Sequence, residues 1–212
     1  MRKRRYYMLS KASSADARDE IPVPEVHNIV ATSKINFNAD ELDLIRIQTI
    51  FPFSFYDKKR FAAVTIRLSH PECTALLFSS GRLVITGART WYESVYSSGY
   101  ICSLLKRVYP ERVFHLSKCD IQNIVGHVEL PYEGCKLDLD MMYQHFQLNC
   151  TYQKHLFPGL IYRPAHSPIV LLCFYSGRIV ITGGKHLRDI FDGWTRLWDD
   201  IKQFVVYPQQ DG

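Results

Sequence analysis

No apolar run in the sequence approaches the ~20 residues that a membrane helix needs. The longest covers residues 169–174. The basic N-terminus is not followed by an apolar stretch, so no secretory signal is expected. A soluble, intracellular chain is the expectation. No two of the six cysteines lie within four residues of each other, which argues against a zinc ribbon or a redox pair. They read as reduced, mostly buried small hydrophobes. The eight histidines are scattered without ligand spacing, so no metal site is expected. A glycine-rich phosphate loop is missing, and no nucleophile–base constellation is supported, so neither an enzyme nor a cofactor is expected. Charge is also scarce. With 26 Lys+Arg against 21 Asp+Glu, the net is +5 over 212 residues. That is weak for a protein held by phosphate charge alone.

What is present is apolar material: 47% hydrophobic and 13% aromatic residues, enough to bury a core and exclude global disorder. The charge is uneven. Residues 1–25 carry +2, residues 26–112 carry +4 and residues 113–212 carry −1. Arg2, Lys3, Arg4 and Arg5 read as a nuclear-import patch, a non-specific DNA tail or a solvated charge run.

The sequence repeats itself. Residues 78–88 read FSSGRLVITGA and residues 174–184 read FYSGRIVITGG, with eight of eleven positions identical. The offset of 96 also brings Phe61 onto Phe157 and Arg67 onto Arg163. An offset of 95 brings residues 28–30 onto 123–125. We therefore expect a basic flexible tail over 1–25, one module over 26–112, a second over 113–207 and a short C-terminal tail over 208–212.

Each module has one element order. Strands are expected at 26–35 and 120–130. Helices follow at 39–50, with Asn38 as N-cap, and at 139–146 after Asp138. Three short strands come next, at 62–68, 74–78 and 82–86, then at 160–163, 169–174 and 178–182. Ser-Gly marks a tight turn before the last strand of each module. A longer helix closes each one. Thr90 and Glu93 have capping-box spacing. Leu187, Ile190, Phe191, Trp194, Leu197, Trp198, Ile201, Phe204 and Val205 follow a 3.6-residue period. The fold class is α+β: a duplicated antiparallel sheet with helices on one face.

Helices on one face leave the other face to water, and that face should be polar. Here it is not. Leu76 and Phe78 alternate with Ala75 and Leu77. Val84 and Thr86 alternate with Leu83 and Ile85. Asn28, Val30 and Thr32 lie opposite Ile29 and Ala31. A sheet that is apolar on both sides, with no further helices to cover it, marks an interaction surface. A floor of Val, Leu, Thr and Asn without central charge suits the DNA minor groove at A·T pairs, which offers acceptors only. Asn28, Asn123, Thr86 and Thr182 supply donors. Phe61, Phe78, Phe157 and Phe174 form two pairs that fit as wedges between base steps. A lone strand Phe is more often core, but four at duplicated positions on the Asn/Thr face argue for exposure. Arg60, Arg67, Arg82, Arg163 and Arg178 would meet phosphates.

These stretches, with HNIVAT, KRFAAVTIR, IQNIVG, LFPGLIYR and IVLLCFYSGRIVITGG, resemble the TATA-box-binding protein family over residues 22–206. The resemblance implies a two-lobed saddle, a curved sheet of about ten strands and four helices on its convex face. It implies minor-groove binding to A·T-rich promoter DNA, bending by the four phenylalanines, recruitment of transcription machinery and a nuclear location. It adds Val125, Val180, Leu172, Ala62 and Pro158 to the groove floor, and Ser80 and Ser176 to the phosphate contacts. Transcription factors of the IIA and IIB type are the implied partners.

The chain also departs from that pattern. Glu72 and Pro168 stand where the family has phosphate-binding arginines. Gln153 and His155, beside Leu156, stand where it has glutamates used to grip transcription factor IIB, so an altered contact is expected. His127 replaces a small residue on the DNA-facing strand. Trp91, Tyr92, Tyr96 and Tyr100 replace a basic helix face. An insertion near 49–55 adds Phe51, Pro52 and Phe53. The resemblance is to a divergent member or a related factor. An alternative function is a protein-interaction scaffold with weak or altered DNA binding.

Overall fold

The fold comes from a computed structural model, which describes residues 20–130 and 133–208. The Arg2–Arg5 patch lies outside the described residues. The strands are β1 (Glu25–Phe37), β2 (Ser54–Phe55), β3 (Ala63–Ser69), β4 (Glu72–Phe78), β5 (Arg82–Ala88), β6 (Phe114–Leu116), β7 (Asp120–Glu129), β8 (Lys136–Leu137), β9 (Cys150–Thr151), β10 (Leu160–Tyr162), β11 (Val170–Cys173), β12 (Arg178–Gly184) and β13 (Val205–Val206). The helices are α1 (Leu44–Ile50), α2 (Trp91–Val108), α3 (Leu139–His145) and α4 (Leu187–Lys202).

One antiparallel path runs β2-β3-β4-β5-β1-β7-β12-β11-β10-β9, and β6 pairs with the end of β1. The two modules meet where β1 and β7 pair, with Val30 opposite Asn123 and Asn28 opposite Val125. β8 and β13 form a separate two-stranded sheet. Among the described residues, no helix is long and apolar enough to cross a membrane.

Alternate strand residues point to the helices and make two cores. The first joins Ile35, Val64, Ala75, Leu77, Leu83 and Ile85 to α1 and α2. The second joins Ile29, Ile124, Leu171, Ile179 and Ile181 to α3 and α4. Five of the six cysteines are buried, and no disulfide joins them among the described residues. Burial pushes the Cys150 thiol up to about 11 and Cys173 higher, so both stay protonated.

The repeat holds at the level of helix packing, but with different chemistry. At the 96-residue offset, Ser98 matches Trp194 and Cys102 matches Trp198. Ser94, Ser97 and Ser98 are fully buried, so the first turns of α2 meet the sheet through small side chains, and Ile101, Leu105 and Val108 are buried further along. Ser98 Oγ donates a hydrogen bond to Ser94 O at 2.9 Å. In α4, Trp194 and Trp198 fill the same place, and Trp194 Nε1 donates to Pro22 O at 2.7 Å. α2 begins with a full capping box, and α4 with its carboxylate half only. Glu93 N donates to Thr90 Oγ1 at 3.1 Å, and the Glu93 carboxylate accepts from Thr90 N. Asp189 accepts from His186 N and Lys185 N.

Several expectations need correction. The first helix does not begin at residue 39 with Asn38 as its cap. It begins at Leu44, because Asp43 Oδ1 accepts from Ile45 N and Arg46 N. Leu42 N instead donates to Ser79 O, tying the preceding segment to the β4–β5 turn. The insertion near 49–55 is not a plain connector: Phe51 is buried and Ser54–Phe55 form edge strand β2. Leu187 keeps the helical period but is half exposed, because it opens α4 beyond the sheet. Phe204 and Val205 lie past the end of α4, and Phe204 is still buried.

Candidate nucleic-acid interface

The helix-free face is built from the other strand parity. Asn28, Val30, Leu76, Val84, Thr86, Asn123, Val125, Leu172, Val180 and Thr182 are all half-buried there. Cross-strand register sets them in rows. Val84 lies opposite Leu76 and Thr32, and Val180 lies opposite Leu172 and His127. Ala62 and Pro158 are exposed beside the rows. The rows also contain Thr65, Thr74, Ile161 and Val170, which the sequence reading had not singled out. Their signal was the parity they share with Arg67, Leu76, Arg163 and Leu172.

The two asparagines have a defined orientation. Asn28 Oδ1 accepts from Gly87 N at 2.7 Å and from Thr86 Oγ1 at 3.4 Å. Asn123 Oδ1 accepts from Gly183 N at 2.9 Å and from Thr182 Oγ1 at 3.2 Å. A backbone N–H can only donate, so it fixes the amide with oxygen toward glycine. Gly87 and Gly183 have φ of +91° and +97°, the left-handed region that glycine occupies at little cost. Asn123 Nδ2 also donates to Thr182 Oγ1 at 3.1 Å, which engages one of its two N–H groups and leaves the other as a donor.

The four phenylalanines come together in two pairs at the outer strands. Phe61 and Phe78 have ring centroids 5.9 Å apart, and Phe157 and Phe174 have 5.7 Å, both edge to face. Phe61 is 48% exposed, too open for a core residue. A Cβ on Gly159 would lie 2.7 Å from Phe157 and 3.0 Å from Phe174, so the second pair closes over a glycine. The tips before each pair match in backbone. Asp57 O accepts from Arg60 N and Phe61 N, as Gln153 O does from Leu156 N and Phe157 N. Leu156 is 73% exposed, and Gln153 and His155 are exposed.

Arg60, Arg67, Arg82, Arg163 and Arg178 are all exposed, as are Ser80 and Ser176 in the turns. They are not equally free. Arg60 lies 3.8 Å from Asp57. Arg178 lies 3.7 Å from Glu129, its cross-strand neighbour, whereas Arg82 stands opposite Lys34. Glu72 and Pro168 are exposed at the strand starts.

The rows differ at one further place. A β-bulge between Val26 and Asn28 inserts His27 and turns it to the open face beside His127, with centroids 4.1 Å apart. The matching bulge in the other module inserts Gln122, whose Nε2 donates to Thr32 Oγ1 at 2.8 Å.

Residues 23–108 and 118–204 both match the family model of Transcription factor TFIID (or TATA-binding protein, TBP). The chain belongs to the TATA-binding protein family. It is 34% identical over 183 residues to the TATA-box-binding protein of Acetabularia peniculus, covering 86% of this chain and 91% of that one. With that of Candida albicans it shares 36% over 184 residues, covering 86% and 73%. With mouse TATA box-binding protein-like 2 it shares 34% over 183 residues, and the chain spans about half of that relative's length. The structure of Methanococcus jannaschii TBP superposes with a TM-score of 0.67 at 28% identity, covering 86% of this chain and 99% of that one. The expected TBP fold, with a large antiparallel sheet, two repeats and four helices, is what the chain adopts.

Proposed function

We propose that the chain is a transcription initiation factor that grips A·T-rich promoter DNA through the minor groove with its helix-free face. The duplicated Asn–Thr–Gly network on an uncharged floor carries this reading. Two amide donors stand at the centre, where A·T pairs offer acceptors. Apolar neighbours leave a guanine amino group without a partner. The phenylalanine pairs at either end enter base steps and bend the duplex. The arginines and turn serines hold phosphates and set the register. The nucleus is the expected location, and factors of the IIA and IIB type the expected partners. Gln153 and His155 offer no carboxylate to a basic surface, so contact with IIB is altered.

A second reading is favoured by Glu72, Pro168 and the Arg178–Glu129 pair, all of which lower phosphate affinity. In it, the sheet is kept as a protein-interaction scaffold with weak DNA binding. Selection of bound sequences from a random DNA pool at stated salt separates the two. The initiation factor enriches A·T-rich sites, and recovery of no preferred sequence overturns it. A bending assay on an A·T-rich duplex is the companion measurement. Wild type bends it, and Phe157→Ala/Phe174→Ala does not. Absence of a bend with both proteins removes the wedge mechanism.

A further inference from the structure

We propose that Glu25, His27 and His127 form a binding site for a borderline divalent transition metal, with Zn²⁺ as the natural occupant. The three residues come from two paired strands. Glu25 lies directly opposite His127 in the β1–β7 register, and the bulge at His27 brings the second imidazole onto the same face. One donor atom from each side chain lies within 4.8 Å of the other two.

The donors select the metal. Two imidazole nitrogens and one carboxylate match zinc sites that keep an open fourth position. Mg²⁺ and Ca²⁺ prefer all-oxygen shells. His127 Nδ1 is buried and has no hydrogen-bond partner, so one ring nitrogen in this cluster is left unsatisfied by the protein. Glu129 Oε1, 4.0 Å from His127 Nε2, is a further carboxylate at the rim.

The other module shows that the fold does not need histidines here. At the same offset, Glu25, His27 and His127 become Asp120, Gln122 and Thr32. There the amide–hydroxyl bond satisfies both groups. At the opposite end of the β1–β7 pairing two imidazoles face each other instead. An ion between them supplies what the Gln–Thr bond supplies elsewhere. The inference does not depend on the DNA reading.

The test is titration of the reduced full chain with Co²⁺ as a spectroscopic probe, and with Zn²⁺ by calorimetry. One ion per chain is expected, with visible d–d bands and no thiolate charge-transfer band, since no cysteine is a ligand. His27→Gln and His127→Thr install the residues of the other module, so both should fold. Each lowers affinity by at least ~10-fold, the loss that even outer-shell changes cause. The double variant takes up no ion. Uptake undiminished in the double variant, thiolate bands, or no uptake by the wild type at millimolar Co²⁺ overturns the site. Circular dichroism confirms folding, and exposed His27→Gln alone keeps the test decisive if His127→Thr unfolds.

Discussion

Arg178 is paired with Glu129 at 3.7 Å across β12 and β7, whereas Arg82, its counterpart in the other module, stands opposite Lys34. The same row thus carries a net charge of +2 in one lobe and a cancelling pair of charges in the other. It is the local form of the +4 and −1 split between the modules. Glu129→Lys is expected to tighten duplex binding and steepen its salt dependence. Each added phosphate contact contributes about 0.9 to the log–log slope. Duplex titrations between low and physiological salt measure it, and an unchanged slope places this row away from the phosphates.

The asparagines are expected to separate binding from folding. Asn123→Asp keeps the oxygen that accepts from Gly183 N but replaces the donor with an acceptor and a charge. Thermal stability should change little, while A·T duplex affinity falls by about tenfold or more, corresponding to ~1.4 kcal/mol. Asn123→Ala should cost both, because the glycine N–H loses its partner, a penalty of about 1–3 kcal/mol when shielded from water. Chemical denaturation read beside fluorescence anisotropy distinguishes the two variants.

Gly159 lies under the Phe157–Phe174 pair, where the other module has Ala63. Gly159→Val is expected to push the Phe157 ring off its partner at little cost in stability, since the ring is only half-buried. The bend should shrink on that side of the duplex alone. Energy transfer between dyes on each half of the site reads the asymmetry, and an undiminished bend on that half counts against the wedge role.

Trp194→Ser installs the residue that stands at the same place in α2. It is expected to destabilise the fold by ~3–5 kcal/mol, the range for emptying a buried indole from a core. Pro22 O also loses its donor. Urea denaturation checks it. A small loss would mean that α4 can settle toward the sheet as α2 does.

Duplication and period-2 alternation exposed the long strands and both faces of the sheet, down to the Phe, Asn and Thr pairs. Edge strands β2 and β9 are two residues each, too short to alternate, so they escaped notice. The start of α1 was misplaced because Asn38 and Asp43 both have capping side chains, and only the structure shows which one accepts from the helix. α2 buries a serine face that no hydrophobic period announces. His27 and His127 are about 100 residues apart, and a bulge, invisible to simple alternation, brings them together.

A floor duplicated so faithfully has no means of telling one end of an A·T stretch from the other. In the proposed complex, a protein turned end for end would place Asn28 and Thr86 on the bases that Asn123 and Thr182 met before. Transcription, however, needs a direction. The cue must come from where the copies disagree: the Lys34/Arg82 row against Glu129/Arg178, and Gln122 with Thr32 against the paired histidines. On the proposed function, those few mismatched side chains are the arrowhead of an otherwise two-way grip.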